Sequence, residues 1–256
     1  MLTFIYDGTF EGLLTSIFDI YERKEFDVNI LSQLQRQDNL FGETIIVYTD
    51  KIKSDRVLNG LKQKLNGDSM TKLFRTFCSE IPLMENKILS YVRYVFSNIF
   101  SVEKNYANDA VRFVHDTSKK VHREKHRMEA FVRFKKTRDN LYYAIIAPDF
   151  NVLPLINSHF TKRYADQRWM IYDEKRKYGL YYDLHSTQFV EVDFHENSKH
   201  SEVTAVIFDE TENLYQELWK NYFDSVNIKA RKNPKLHIRH MPKRYWRNLV
   251  EKRVDL

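Results

Sequence analysis

The sequence predicts an α+β fold: a mainly antiparallel central sheet flanked by helices, preceded by an N-terminal α/β unit. Three observations carry this. The first 67 residues read as strand, helix, strand, helix. The middle of the chain holds long apolar stripes at three-four spacing, the mark of helices. Two pairs of alternating segments are separated by short polar turns, the mark of antiparallel hairpins. The boundaries that follow are 1–67 for the N-terminal unit and 68–256 for the rest, or one continuous domain over 1–256.

The chain opens with a strand at Leu2–Tyr6. Asp7 and Gly8 turn it into a helix with Leu13, Leu14, Ile17, Phe18 and Tyr21 on one face. A second strand falls at Thr44–Thr49, and a helix around Asp55–Leu65 follows, stopped by Asn66-Gly67. From Ser69 to Ile81, Met70, Leu73, Phe74, Phe77, Cys78 and Ile81 form a helical stripe that Pro82 ends. Another helix carries Ile88, Leu89, Val92, Val95, Phe96 and Ile99. Asn108-Asp109 caps a third, with Val111, Val114, Ser118 and Val121 on its buried side.

That helix runs into a basic stretch in which the period changes to alternation, with Ala130, Val132 and Phe134 on one face of a strand. Asp139-Asn140 turns it into LYYAIIA. Pro154 starts a helix with Leu155, Ile156, His159 and Phe160. RWMIYD and LYYDL make the second hairpin, around a turn at Glu174–Gly179, and Phe189–Phe194 is a further strand. Residues 195–203 read as loop. Leu214, Tyr215, Leu218, Trp219, Tyr222 and Phe223 form a last helical stripe. After Asn233-Pro234 comes a basic segment with a short helix opened by Pro242.

Composition excludes several classes. Apolar residues make up 43% and charged residues 30%, which fits a soluble globular chain. Six glycines leave little room for glycine-cradled nucleotide folds. No apolar run approaches the ~20 residues that span a bilayer, so no membrane partner is expected. The N-terminus lacks the pattern of a secretory signal. Cys78, the one cysteine, excludes an internal disulfide and a cysteine-ligated cluster and suits a reduced, cytoplasmic setting. It lies on an apolar stripe and reads as a packed thiol.

Charge is segregated. The net charge is +6, yet residues 112–138 carry ten Lys/Arg against three Asp/Glu, and residues 229–256 ten against two. Residues 1–60 and 139–228 are net acidic, by four and by seven charges. Two basic segments brought together would draw a polyanion through counterion release. Arg123, Arg127, Arg133, Arg239, Lys243, Arg244 and Arg247 are the candidate phosphate contacts. Tyr245 is the candidate stacking face, because aromatics beside cations suit single-stranded or flipped nucleic acid.

Other constellations are weaker. His122 and His126 share a helix face, but the order His-Arg-Glu-Lys-His fits no zinc-hydrolase motif, and three flanking cations repel a dication. Arg123 and Arg127, also four apart, read instead as a phosphate-facing edge, the alternative being that Glu124 pairs with them on a solvent-exposed face. Neither a metal nor a cofactor is expected. His126, His159, Asp173 and Arg176 are the residues an enzyme acting on DNA or a nucleotide would bring into one cleft. No nucleophile elbow, phosphate loop or dinucleotide fingerprint occurs.

Longer strings carry a resemblance: FIYDGTFEGLL, VHREKHRMEAFVRF, LYYAIIAPDFNVLPLINSHFTKRYADQRWMIYDEKRKYGLYYD and LWKNYFDSVNIKARKNPKLHIRHMPKRYW. Through them the chain resembles, essentially end to end, a bacterial family of DNA metabolism and DNA repair proteins whose core is a domain of unknown function. The matching positions are His126, Arg127, Phe131, Arg133, Pro148, Asp149, His159, Phe160, Arg163, Trp169, Asp173, Arg176, Trp219, Asn233, Pro234, Pro242, Tyr245 and Trp246. Members are typically encoded beside a radical SAM DNA modification or repair protein, and some carry a fused uracil-DNA glycosylase domain. The resemblance transfers no catalytic residue. With one cysteine, this chain is not the radical SAM enzyme itself. The resemblance thus implies a DNA-binding accessory protein acting with a radical SAM partner. The alternatives are the enzyme just described and a protein-interaction module without nucleic-acid contact.

Overall fold

The computed structural model describes residues 2–35, 43–191, 238–249 and 252. The chain divides into two compact units, 1–122 and 123–256. The class is α+β.

The first unit holds a three-stranded parallel sheet of order β2-β1-β3, formed by β1 (Leu2–Tyr6), β2 (Val28–Ser32) and β3 (Thr44–Ile46). Its helices are α1 (Phe10–Arg23), α2 (Lys51–Lys64), α3 (Gly67–Phe77) and α4 (Met84–Ser97). Each of the first three starts where a polar side chain can take orphaned N–H groups. Thr9 accepts from Gly12, Asp50 from Ile52 and Lys53, and Asn66 from Ser69. The Asn66-Gly67 pair therefore opens α3 rather than merely closing α2: the asparagine side chain serves the next helix. The core joins Phe4 and Tyr6 of β1 with Leu13, Leu14, Ile17 and Ile20 of α1, Leu61, Leu73, and Ile88, Val92 and Val95 of α4. Cys78 is buried, in keeping with a packed thiol.

β2 escapes the sequence pattern. VNILS is short and follows an acidic turn, and only its parallel register against β1, Leu2 to Val28 through Tyr6 to Ser32, makes it a strand.

Helix α5 (Asp109–Phe131) is capped by Asn108, whose side chain accepts from Ala110 and Val111 at 3.0 and 3.2 Å. It persists to Phe131, so the alternation expected from Ala130 onward is overridden. The strand that follows, β4, is only Lys135–Lys136.

The second unit holds a five-stranded sheet of order β4-β5-β6-β7-β8, with β5 (Tyr142–Ile146), β6 (Trp169–Asp173), β7 (Tyr178–Tyr182) and β8 (Thr187–Glu191). The expected hairpins β4–β5 and β6–β7 are both antiparallel. Asn140 and Lys177, each with φ 61°, complete their turns.

The antiparallel expectation holds only in part. β5 and β6 run parallel, joined by the crossover helix α6 (Leu153–Arg163), and both pairings of the first sheet are parallel. A helix inserted between two strands returns the chain to the same sheet end, which imposes the parallel sense. The core of this unit gathers Met128, Leu153, Ile156, Phe160, Trp169, Ile171, Leu180, Tyr182, Tyr245 and Leu249.

The final basic segment is a six-residue 3-10 turn, Lys243–Asn248, with Pro242 just outside it. The short helix expected after Pro242 is thus present, in the tighter 3-10 form. Strand β8 begins two residues before the expected Phe189. Residues 192–194 of that strand, the loop 195–203, the stripe Leu214–Phe223, and Asn233-Pro234 lie outside the described residues. No helix among the described residues is long and apolar enough to cross a membrane.

Candidate functional site

The carboxyl ends of the parallel pair β5 and β6 open onto two loops, and in α/β arrangements such ends are where ligands collect. After β5 comes Pro148-Asp149; after β6 comes the turn Glu174–Lys177. Glu124 and Arg127 of α5 and the C-terminal turn carrying Arg244, Tyr245 and Arg247 meet these loops within the second unit.

Glu124 is the centre of this arrangement. It is 1% exposed. One carboxylate oxygen accepts the Asp149 backbone N–H at 3.0 Å. The other accepts from the Arg244 guanidinium at 2.8 Å and from the Tyr245 hydroxyl, with Arg127 3.8 Å away. The alternative weighed from the sequence pairs Glu124 with nearby arginines on a solvent-exposed face. Arg127 is a partner, but the carboxylate is enclosed, because a segment 120 residues distant closes over it.

Arg244 also pairs with the Asp149 carboxylate at 2.9 Å and lies 4.6 Å from the Tyr245 ring centroid. Burial works against its charge, but Glu124, Tyr245 and Asp149 outweigh that and push its pKa up. Burial and Glu124 both raise the Tyr245 hydroxyl, so it stays a proton donor.

A second layer continues the network. Arg176, mostly enclosed, donates to the Asp173 carboxylate at 2.9 Å and to the Pro148 and Asp149 carbonyls at 3.3 and 3.1 Å. Asp173 is fully buried and also accepts the N–H groups of Lys175 and Arg176. Burial raises its pKa, and Arg176 pulls the other way. Lys175 reaches the Asp149 carbonyl at 3.3 Å, and Arg247 pairs with Glu174.

The candidate residues thus separate by environment. Arg123, Arg239 and Lys243 face solvent, Lys243 sitting 5.9 Å over the Trp246 ring. Arg133 donates to the Ala130 and Val132 carbonyls and so closes the end of α5. Arg244 and Arg247 are already neutralised by carboxylates. Tyr245, 5% exposed, packs 5.7 Å from the Phe131 ring and has no face left for a base. Its role is to hold the C-terminal turn, because its ring fills the core while its hydroxyl reaches Glu124.

The four enzyme candidates fall into two pairs. Asp173 and Arg176 belong to the network above. His126 and His159 each place Nδ1 3.9 Å from an oxygen of Glu129, which Lys125 grips at 2.6 Å. His126 is 80% exposed at its side chain. The two pairs sit on different carboxylates, Arg176 on Asp173 and the histidines beside Glu129. Sequence reasoning missed Glu129 and the central place of Glu124. Only their i,i+4 and i,i+3 spacing from Lys125 and Arg127 hinted at pairing. Among the described residues, no group of three or more His, Cys, Asp or Glu is arranged to hold a metal ion.

No curated protein matches the chain. Residues 82–251 match the family model of a domain of unknown function, DUF4130. That stretch covers most of the chain, including every residue of the charged network from Glu124 to Arg247, and the chain therefore belongs to the DUF4130 family.

Proposed function

We propose that this chain is a nucleic-acid-binding accessory protein of DNA repair or DNA metabolism, acting with a radical SAM partner that supplies the redox chemistry. One observation carries the binding part. Through Glu124, the basic part of α5 is tied to the basic C-terminal turn, so two segments distant in sequence adjoin within the second unit. Arg123, Arg239 and Lys243 are exposed residues of these two segments and are the phosphate contacts. Arg127 faces Glu124 at 3.8 Å. Arg244, Tyr245 and Arg247 hold the turn in place. The link to repair and to a radical SAM protein rests on the sequence resemblance, and the single cysteine agrees with the cluster residing in the partner.

Fluorescence anisotropy with labelled single-stranded and duplex DNA tests the binding. Three phosphate contacts give a log–log salt slope of about −2 to −3, and Arg123→Ala, Arg239→Ala or Lys243→Ala each lowers it by about one. Absence of binding to either DNA at low salt overturns the reading. Co-purification with the adjacent radical SAM protein after nuclease treatment tests the partner.

A further inference from the structure

Helices α3 and α5 meet where the Thr76 hydroxyl donates to the Val114 carbonyl at 3.2 Å. Asp68, Lys72 and Arg75 recur at helical spacing and share one stripe of α3 beside that crossing. His115 and Lys119 stand one turn apart on α5. The two stripes lie within each other's field. The Lys72 bond holds the Asp68 carboxyl below its ordinary value against the pull of burial, and Arg75 and His115 add to the lowering. Burial, Lys119 and Lys72 hold the His115 imidazole below its ordinary value, against Asp116 and Asp68. All of these residues belong to the first unit, and none belongs to the DNA surface proposed above.

Two buried nitrogen atoms here have no hydrogen-bond partner, Nε of Arg75 and Nδ1 of His115. Arginine Nε always carries a proton, and imidazole Nδ1 carries one in the charged form and in one neutral tautomer. Bare donors of this kind are rare inside proteins and call for an acceptor. Charge selects which acceptor. Lys72 is answered by Asp68 at 2.6 Å. Arg75 and Lys119 pair with no carboxylate among the described residues. The Tyr106 ring packs 4.6 Å from the imidazole and steadies it.

We propose that this crossing binds a phosphate group, free or carried by a nucleotide, through Arg75 Nε, His115 Nδ1 and the Lys119 ammonium. The guanidinium and imidazole give directed bonds to the oxygens, and the lysine adds a point charge.

Titration of the whole chain with inorganic phosphate, adenosine monophosphate and adenosine, read from the His115 ring signals by NMR, tests this. Phosphate and the monophosphate shift those signals, and adenosine does not. Equal affinity for the first two assigns the site to free phosphate, and tighter binding of the monophosphate assigns it to nucleotides. Arg75→Gln weakens binding about tenfold. Lys119→Gln, at an exposed position that leaves the fold intact, weakens it about threefold. Sulfate keeps its charge over about pH 5–8, where only histidine changes charge among Asp68, Lys72, Arg75, His115, Asp116 and Lys119. A bound anion raises the His115 pKa, so sulfate binds more tightly as pH falls, and His115→Gln flattens that dependence. His115 signals unmoved by phosphate overturn the proposal. So do equal binding of adenosine and its monophosphate, and unchanged phosphate affinity in both Arg75→Gln and Lys119→Gln.

Discussion

Glu85 in the first unit and Glu124 in the second are equally buried, each 1% exposed, yet their surroundings differ in kind. Glu124 has an arginine, a tyrosine hydroxyl and a backbone N–H bonded to its two oxygens. At Glu85 one oxygen accepts from the Tyr6 hydroxyl at 3.3 Å, and Oε2 meets no hydrogen-bond partner among the described residues. Burial pushes the Glu85 carboxyl up from its ordinary value, against weaker help from Tyr6 and Gln35. Depth alone therefore does not decide what a buried acid does. A saturated carboxylate is a keystone that fixes three segments at once. An unsaturated one is an internal titrating group.

The sharpest break of this contrast is Glu124→Ala. It strands Arg244, the Tyr245 hydroxyl and the Asp149 N–H, and it is expected to cost about 3–5 kcal/mol. Tyr245→Phe removes one bond and costs about 1 kcal/mol. Urea denaturation checks both, and a loss below that of Tyr245→Phe for the alanine variant would remove Glu124 from the centre of the second unit.

At Glu85 the expected signature is a slope rather than a loss. Its folded pKa lies above the ordinary 4.5, so the folded state holds this proton to higher pH than the unfolded chain does. Stability from this group is complete below 4.5 and falls as pH rises through the raised folded value. Glu85→Gln removes that fall. Denaturation midpoints of wild type and variant, followed from acidic to neutral pH, should diverge in that direction. Parallel curves would show that Glu85 ionises without penalty.

The smallest effect belongs to the exposed pair Arg247 and Glu174. Glu174→Gln should change stability by about 0–1 kcal/mol, less at high salt. A larger loss would mean that the C-terminal turn hangs on this pair as much as on Glu124.

The candidate site was only partly legible. The helix α5 and its Asn108 cap could be read because each rests on neighbours within four residues. The basic character of 112–138 and 229–256 is likewise a local property. The neutralisation of Arg244 was not legible, since its carboxylates are 120 and 95 positions away. Tyr245 looked like a stacking face because its sequence neighbours are cationic, but Phe131 and Glu124 enclose it.

By itself the sequence determined the helical periods, the capping side chains, the two hairpins and the segregation of charge. All of these are set by backbone geometry and composition over a few residues. The tertiary structure decided that β1 pairs in parallel with β2 and β3 and that β5 pairs in parallel with β6. It also decided which cations are spent inside the protein and which stay exposed. Those outcomes depend on which distant groups share a low-dielectric interior, where an unpaired charge is too costly to remain.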